Sequence, residues 1–205
     1  MLVTGSRLAS GSVLVNMRTF NIKAGQTTDE ELLMRRDTTA VAVLGSLNSE
    51  NLYTHYGDAS QLTKTEQFVA PLGKEQSILS ATGRGYYILG ILGAGEEPTN
   101  HALKDIIAER DVFEHWGRSL VLLFKDKTSQ SRYRPEDFVG LPKGTVFGLD
   151  SKGSVLSELI TNMKLRAGSL PVFVIADTFN RVVFVSQGYT IGLGRQIRQV
   201  ITALE

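Results

Sequence analysis

The residues with the most chemical potential lie in one glycine-rich turn, Gly93-Ala94-Gly95-Glu96-Glu97-Pro98-Thr99-Asn100. An apolar run, Tyr86 to Leu92, precedes it, and Ala102, Leu103, Ile106 and Ile107 follow at helical spacing. The turn therefore joins a strand to a helix, with Pro98 in the first helical turn. Its glycines match the start of the G-x-G-x-x-G dinucleotide fingerprint, but the third glycine position is Pro98, which cannot pack as closely. Glu96 and Glu97 would also repel a pyrophosphate, so a dinucleotide is not expected. Three readings of the turn stay open. Backbone N–H groups at the helix start could form one wall of a small pocket. Glu96 or Glu97 could act as an acid or base, its pKa raised by burial near Tyr86 or Trp116. Or the acidic residues could simply satisfy the positive end of the helix.

The other chemistry-bearing residues form no constellation. Cysteine is absent, which excludes disulfides, thiol nucleophiles, iron–sulfur clusters and cysteine-type zinc sites. His55, His101 and His115 are scattered, without an H-E-x-x-H motif. His101 and His115 would lie about 21 Å apart along one helix and cannot share a metal. There is no G-x-S-x-G nucleophile elbow. Lys125, Lys127, Arg132 and Arg134 cluster around Ser129 and Tyr133, but Asp126, Glu136 and Asp137 interleave with them, as in a solvated loop. Arg195 and Arg198 read as the exposed face of a final helix. No metal and no cofactor are expected.

Charge and composition narrow the partners. Lys and Arg number 22 against 21 Asp and Glu, a net charge of +1, whereas a phosphate-binding surface needs a basic surplus. Apolar residues are 42% and charged residues 21%, an ordinary globular balance. No run of 18 apolar residues is long enough for a membrane span. The strand-like start, Met1-Leu2-Val3-Thr4-Gly5, carries no signal-peptide pattern and reads as the tail of a longer protein.

The elements that must position the turn fall into three stretches. Residues 1–47 alternate with a period of two around Val13, Val15 and Met17, then again at Glu31–Arg35 and Thr39–Leu44, giving about four short strands of a small sheet. Residues 48–84 lose the pattern and read as a connecting segment, which Tyr53, Tyr56 and Phe68 could anchor. Residues 85–205 read as α/β. Tyr86–Leu92 and Leu120–Phe124 are strands buried on both faces, joined by a helix ending near Trp116-Gly117. A polar excursion, Lys125–Gly144, leads to a short strand at Thr145–Leu149 and a helix around Val155–Met163. Pro171–Ala176 and Arg181–Val185 flank a four-residue connection and form a hairpin. A last helix buries Ile197, Val200, Ile201 and Leu204.

This order (strand, helix, strand, short strand, helix, strand, strand, helix) resembles the thioredoxin-like fold in its peroxiredoxin-related form. Ser169-Leu170-Pro171-Val172-Phe173 is similar to that family's cis-proline segment, and Asp177–Val185 to the hairpin after it. The resemblance implies a mixed central sheet flanked by helices. It also implies that the turn after Leu92 stands where relatives carry Cys-x-x-Cys, with Glu97 and Asn100 at the cysteine positions to within a residue. A pocket of Glu96, Glu97, Pro98, Thr99 and Asn100 would then face Leu170 and Pro171. A second resemblance rests on Val3-Thr4-Gly5-Ser6-Arg7-Leu8-Ala9-Ser10-Gly11-Ser12-Val13-Leu14, Gly83-Arg84-Gly85-Tyr86 and Glu97-Pro98-Thr99-Asn100-His101-Ala102-Leu103. These are similar to the C-terminal region of Bacteroidetes transglutaminase-like proteins, where the end of a β-sandwich precedes a closing thioredoxin-like domain. That resemblance implies an upstream catalytic core, a cell-envelope or periplasmic address, and no catalytic residue in this chain. The expected function is a redox-inactive accessory or interaction module that takes a protein or peptide at the cis-proline edge. The alternatives are an enzyme using Glu96 or Glu97, or a structural spacer.

Overall fold

The computed structural model describes residues 2–7, 13–18, 35–37, 41–48, 50–58, 75–82, 85–93, 97–188 and 190–205. Three N-terminal strands, β1 (Leu2–Arg7), β2 (Val13–Arg18) and β3 (Arg35–Asp37), pair antiparallel in the order β1-β2-β3. The expected run at Glu31–Met34 lies outside the described residues. Val41–Leu44 is not a strand, although Leu44 N–H donates to Val182 O at 2.7 Å.

The other strands among the described residues join one eight-stranded mixed sheet. They are β4 (Gly45–Ser46), β5 (Leu52–Asp58), β6 (Glu75–Ser77), β7 (Tyr86–Leu92), β8 (Leu120–Phe124), β9 (Val146–Leu149), β10 (Val172–Asp177) and β11 (Arg181–Gln187), in the spatial order β4-β11-β10-β7-β8-β9-β5-β6. β7, β8 and β9 are parallel, and every other pairing is antiparallel. β7 and β8 are buried on both faces, which is why they read as unbroken apolar runs.

Two cores sandwich the sheet. On one face Ile88, Leu92, Leu122, Phe124 and Phe173 meet Ala102, Leu103 and Ile106 of α2 (Glu97–Ala108), Phe113 of α3 (Arg110–Trp116) and Ile197 and Ile201 of α6 (Leu193–Leu204). On the other, Leu89, Ile91, Val121 and Val174 meet Val155 and Leu159 of α5 (Ser154–Met163), Ile78 of α1 (Ile78–Thr82) and Tyr53 of β5.

Three expectations need correction. The stretch read as a connector, 48–84, supplies β5, β6 and α1 to the main sheet, and Gly45–Ser46, placed before it, is the sheet's edge. Tyr53 is fully buried and anchors the stretch as expected, whereas Phe68 and the side chain of Tyr56 lie outside the described residues. The single helix expected to run to Trp116 is broken at Glu109, whose N–H bonds Ile106 O at 3.1 Å instead of the carbonyl one residue earlier. That earlier carbonyl, Asp105 O, lies against Gly194, where α6 crosses so closely that a methyl group at Gly194 would overlap it. The polar excursion 125–144 holds α4 (Lys127–Gln130), a 3₁₀ turn (Pro135–Phe138) and buried side chains that include Tyr133, Phe138 and Leu141.

Candidate functional site

The site forms where the carboxyl ends of β7 and β8 lie side by side. Lys125 N–H donates to Leu92 O at 3.0 Å, so the two parallel strands end together. In an open α/β sheet such an edge is where a crevice opens. Gly93 follows Leu92, and a Cβ there would stand 3.0 Å from Leu170 Cβ and 3.7 Å from Thr99 Oγ1. Glycine thus lets the segment before β10 approach the opening turn of α2. The Leu170–Pro171 bond is cis. Pro171 is buried, and its carbonyl accepts from Gly188 N–H at 2.8 Å. Leu170 is half-buried, and its backbone N–H and C=O have no hydrogen-bond partner among the described residues.

A cavity of about 260 Å³ opens here. Gly93 and Thr99 form one wall, Gly168 and Leu170 a second, and Lys125, Asp126, Thr128, Ser129 and Arg132 the third. The floor is fixed by Tyr133, whose hydroxyl donates to Gly93 O at 2.9 Å inside the core. The Tyr133 ring packs at 5.5 Å from Phe124 and 5.4 Å from Phe138. One interaction thus ties the segment after β8 to the end of β7. Asp126 caps α4, its carboxylate accepting from Ser129 N–H at 2.6 Å. That backbone hydrogen bond is the main reason its carboxyl is held below the usual carboxylate range, with Lys125 nearby acting in the same sense.

The predicted site residues separate. Thr99 and Leu170 line the cavity. Glu97 does not. Its side chain is 89% exposed and meets His101 Nε2 at 2.8 Å, one helical turn on. Pro98 and Asn100 are half-buried in the first turn of α2 and stay off the lining, as does Pro171. Glu96 lies outside the described residues. Of the residues at this helix start, the buried side chain that reaches the cavity is Thr99, 1% exposed, whereas Glu97 and Asn100 lie outside the described lining. A carboxylate acting as acid or base in an apolar pocket gains no support from a glutamate in solvent. The basic side chains Lys125, Lys127, Arg132 and Arg134 are all exposed, as a solvated cluster should be, but the stretch that carries them folds inward between them. Lys125 and Arg132 belong to the cavity, while Ser129 and Tyr133 are buried. The signal was available: Tyr133, Phe138 and Leu141 are core-type residues inside an otherwise polar stretch, so part of it had to fold inward. His115 is exposed, and Arg198 pairs with Glu109 at 3.3 Å. Among the described residues no group of His, Asp or Glu is arranged to hold a metal. Nor is any helix among them long and apolar enough to cross a membrane.

No family model and no curated protein matches this sequence. Solved structures do match its fold. A cysteine-to-serine variant of peroxiredoxin Q from Xanthomonas campestris aligns over 80% of this chain and 99% of its own, at 10% identity and a TM-score of 0.54. A candidate electron transfer protein from Aquifex aeolicus aligns over 80% and 99%, at 11% identity and a TM-score of 0.52. The fold is thioredoxin-like. The thioredoxin domain of a thiol-disulfide oxidoreductase from Bacteroides vulgatus is also similar, over 76% of this chain and 99% of that domain, at 12% identity and a TM-score of 0.48. The chain described here keeps the scaffold and has no cysteine anywhere in its sequence.

Proposed function

We propose that this chain is a redox-inactive, thioredoxin-like interaction module that holds an extended segment of a partner polypeptide at the Leu170–Pro171 edge. In this reading it performs no catalysis. It serves as the C-terminal part of a larger transglutaminase-like protein of the cell envelope. The observation that carries the proposal is the cavity between Thr99, Leu170 and the segment after β8, formed in a chain without a thiol. A spacer needs no such concavity. The N–H and C=O of Leu170, which have no hydrogen-bond partner among the described residues, could supply one rung of a β-ladder, the element of strand-addition recognition.

The test is site-specific photo-crosslinking with the reactive group in place of Ser169, beside the edge, and in place of Lys143, an exposed residue grouped with Leu120 at the opposite end of β8. A discrete adduct formed from position 169 and absent from position 143 is expected. Equal labelling from both positions, or none from 169, overturns the reading. The context is tested separately by sequencing the complete open reading frame. A cysteine and a histidine at transglutaminase spacing upstream of this chain are expected, and their absence refutes that part.

A further inference from the structure

Resting on the edge reading above, we propose that the cavity beside Leu170 recognises a carboxylate of the bound segment, so that the module selects acidic polypeptide. The argument begins with size. Small-molecule and cofactor sites run to roughly 300–1,000 Å³ and are mostly apolar. This cavity is about 260 Å³, and among the described residues Leu170 is the one apolar side chain in its lining. It suits one polar side chain or chain end with some water.

Charge then selects the group. Lys125 and Arg132 both line the cavity, are exposed, and make no ion pair among the described residues. Among the described lining residues the one acid is Asp126, which is engaged as the cap of α4 through Ser129 and lies within the field of Lys125. Two cations against that one committed anion make this described lining positive. A carboxylate entering from the Leu170 side would meet Arg132, whose planar fork suits two oxygens, and Lys125 as a compact point charge. The Thr99 hydroxyl at the inner wall adds a polar contact. An ammonium or guanidinium guest would face the same two cations and be rejected, and an apolar guest would leave polar groups dry.

The carboxylate could belong to a Glu or Asp side chain or to a free C-terminus. The chemistry is shared, and one experiment separates the sources. The full 205-residue chain is immobilised and exposed to a degenerate library of acetylated pentapeptides, made once with amidated and once with free C-termini. Retained peptides are read by mass spectrometry. Among amidated peptides, Glu and Asp should be enriched about fivefold over Gln and Asn at one position, the size expected of exposed charge pairs. Enrichment confined to free C-termini also supports the proposal and assigns the carboxylate to the chain end. The double variant Lys125→Gln/Arg132→Gln should retain peptides without the acidic preference and keep the wild-type melting temperature, since both side chains are on the surface.

Retention with no acidic preference overturns the carboxylate proposal and leaves the edge reading standing. An acidic preference that survives the double variant also overturns it, because the cavity is then not its source. Failure to retain any peptide overturns both.

Discussion

Substituting Gly148 tests the part of the architecture least visible in the sequence, the docking of β5 on the parallel strands. Gly148 lies in β9 opposite His55 of β5. A Cβ built there would overlap Tyr53 Cδ2 and stand 2.7 Å from both Tyr53 Cε2 and the carbonyl oxygen of Thr54. The ring has no room to retreat, because Tyr53 is fully buried against Ile78, Val121 and Leu123. The carbonyl belongs to the β5 backbone and can move only with the strand. Gly148→Ala is thus an overpacking substitution, costing about 1–3 kcal/mol. For a chain of this size each kcal/mol lowers the melting temperature by about 2–4 °C, so a fall of about 2–12 °C is expected. Circular-dichroism melts of the full chain measure it. The decisive comparison is the double variant Gly148→Ala/Tyr53→Leu. Removing the ring relieves much of the clash, so the two substitutions should couple by more than about 0.5 kcal/mol. If their effects simply add, or if Gly148→Ala melts with wild type, β5 does not lie on β9 as described.

Other expectations follow from the same structure. Tyr133→Phe removes the hydroxyl that satisfies the Gly93 carbonyl and should cost about 1–3 kcal/mol by urea denaturation; an unchanged midpoint would mean that water reaches that carbonyl. Asp126 has its carboxyl pKa lowered in the folded chain, so its contribution is complete above the unfolded value of about 3.9 and is lost as pH falls through the lower folded value. The melting difference between wild type and Asp126→Asn should therefore shrink as pH drops from 6 toward 2, and a constant difference refutes the linkage. Glu97→Gln touches only the exposed pair with His101 and should change stability by less than about 0.5 kcal/mol; a larger loss in a melt would show that Glu97 has a buried role.

The α/β half was legible because its strands are buried on both faces. Tyr86–Leu92, Leu120–Phe124 and Val172–Asp177 leave little choice of element, and helical spacing supplied α2, α5 and α6 between and after them. Pro171 placed the edge of the site. The first half resisted for a physical reason. β5 holds Thr54, His55, Gly57 and Asp58 in seven residues, and its ladder with β9 shifts register between His55 and Gly57, so no two-residue alternation survives. β6 is three residues long and runs straight into α1. Such strands are held by their neighbours rather than by their own pattern. Of the site, Thr99 and Leu170 were found by analogy with a redox centre. Lys125 and Arg132 were discounted because local charge alternation looks the same on a solvated loop and on a loop folded back over a strand end. What separates the two cases is the aromatic anchor, Tyr133 and Phe138.

The residues that build the cavity and those that give it charge are different, and this division has a measurable consequence. The walls are held by contacts the fold requires behind them: Gly93 beneath Leu170, the Tyr133 hydroxyl on the Gly93 carbonyl, and the buried Pro171 whose carbonyl holds Gly188. None of these contacts uses sulfur, so the crevice persists in a chain without thiols. The charge comes from Lys125 and Arg132, both on the surface and outside every hydrophobic cluster. Surface substitutions of this kind change stability by about 0.5 kcal/mol or less. A salt titration of ligand retention should therefore separate the two sets. Lys125→Met or Arg132→Met should flatten the salt dependence of acidic-peptide binding at unchanged melting temperature, because the screened term is the one removed. Gly93→Ala should instead lower the melting temperature, because the added methyl group would stand 3.0 Å from Leu170 Cβ and crowd Leu170 away from the strand end. If either cation variant unfolds the chain, or if Gly93→Ala is silent in a melt, charge and scaffold are not separable and the cavity is a packing by-product.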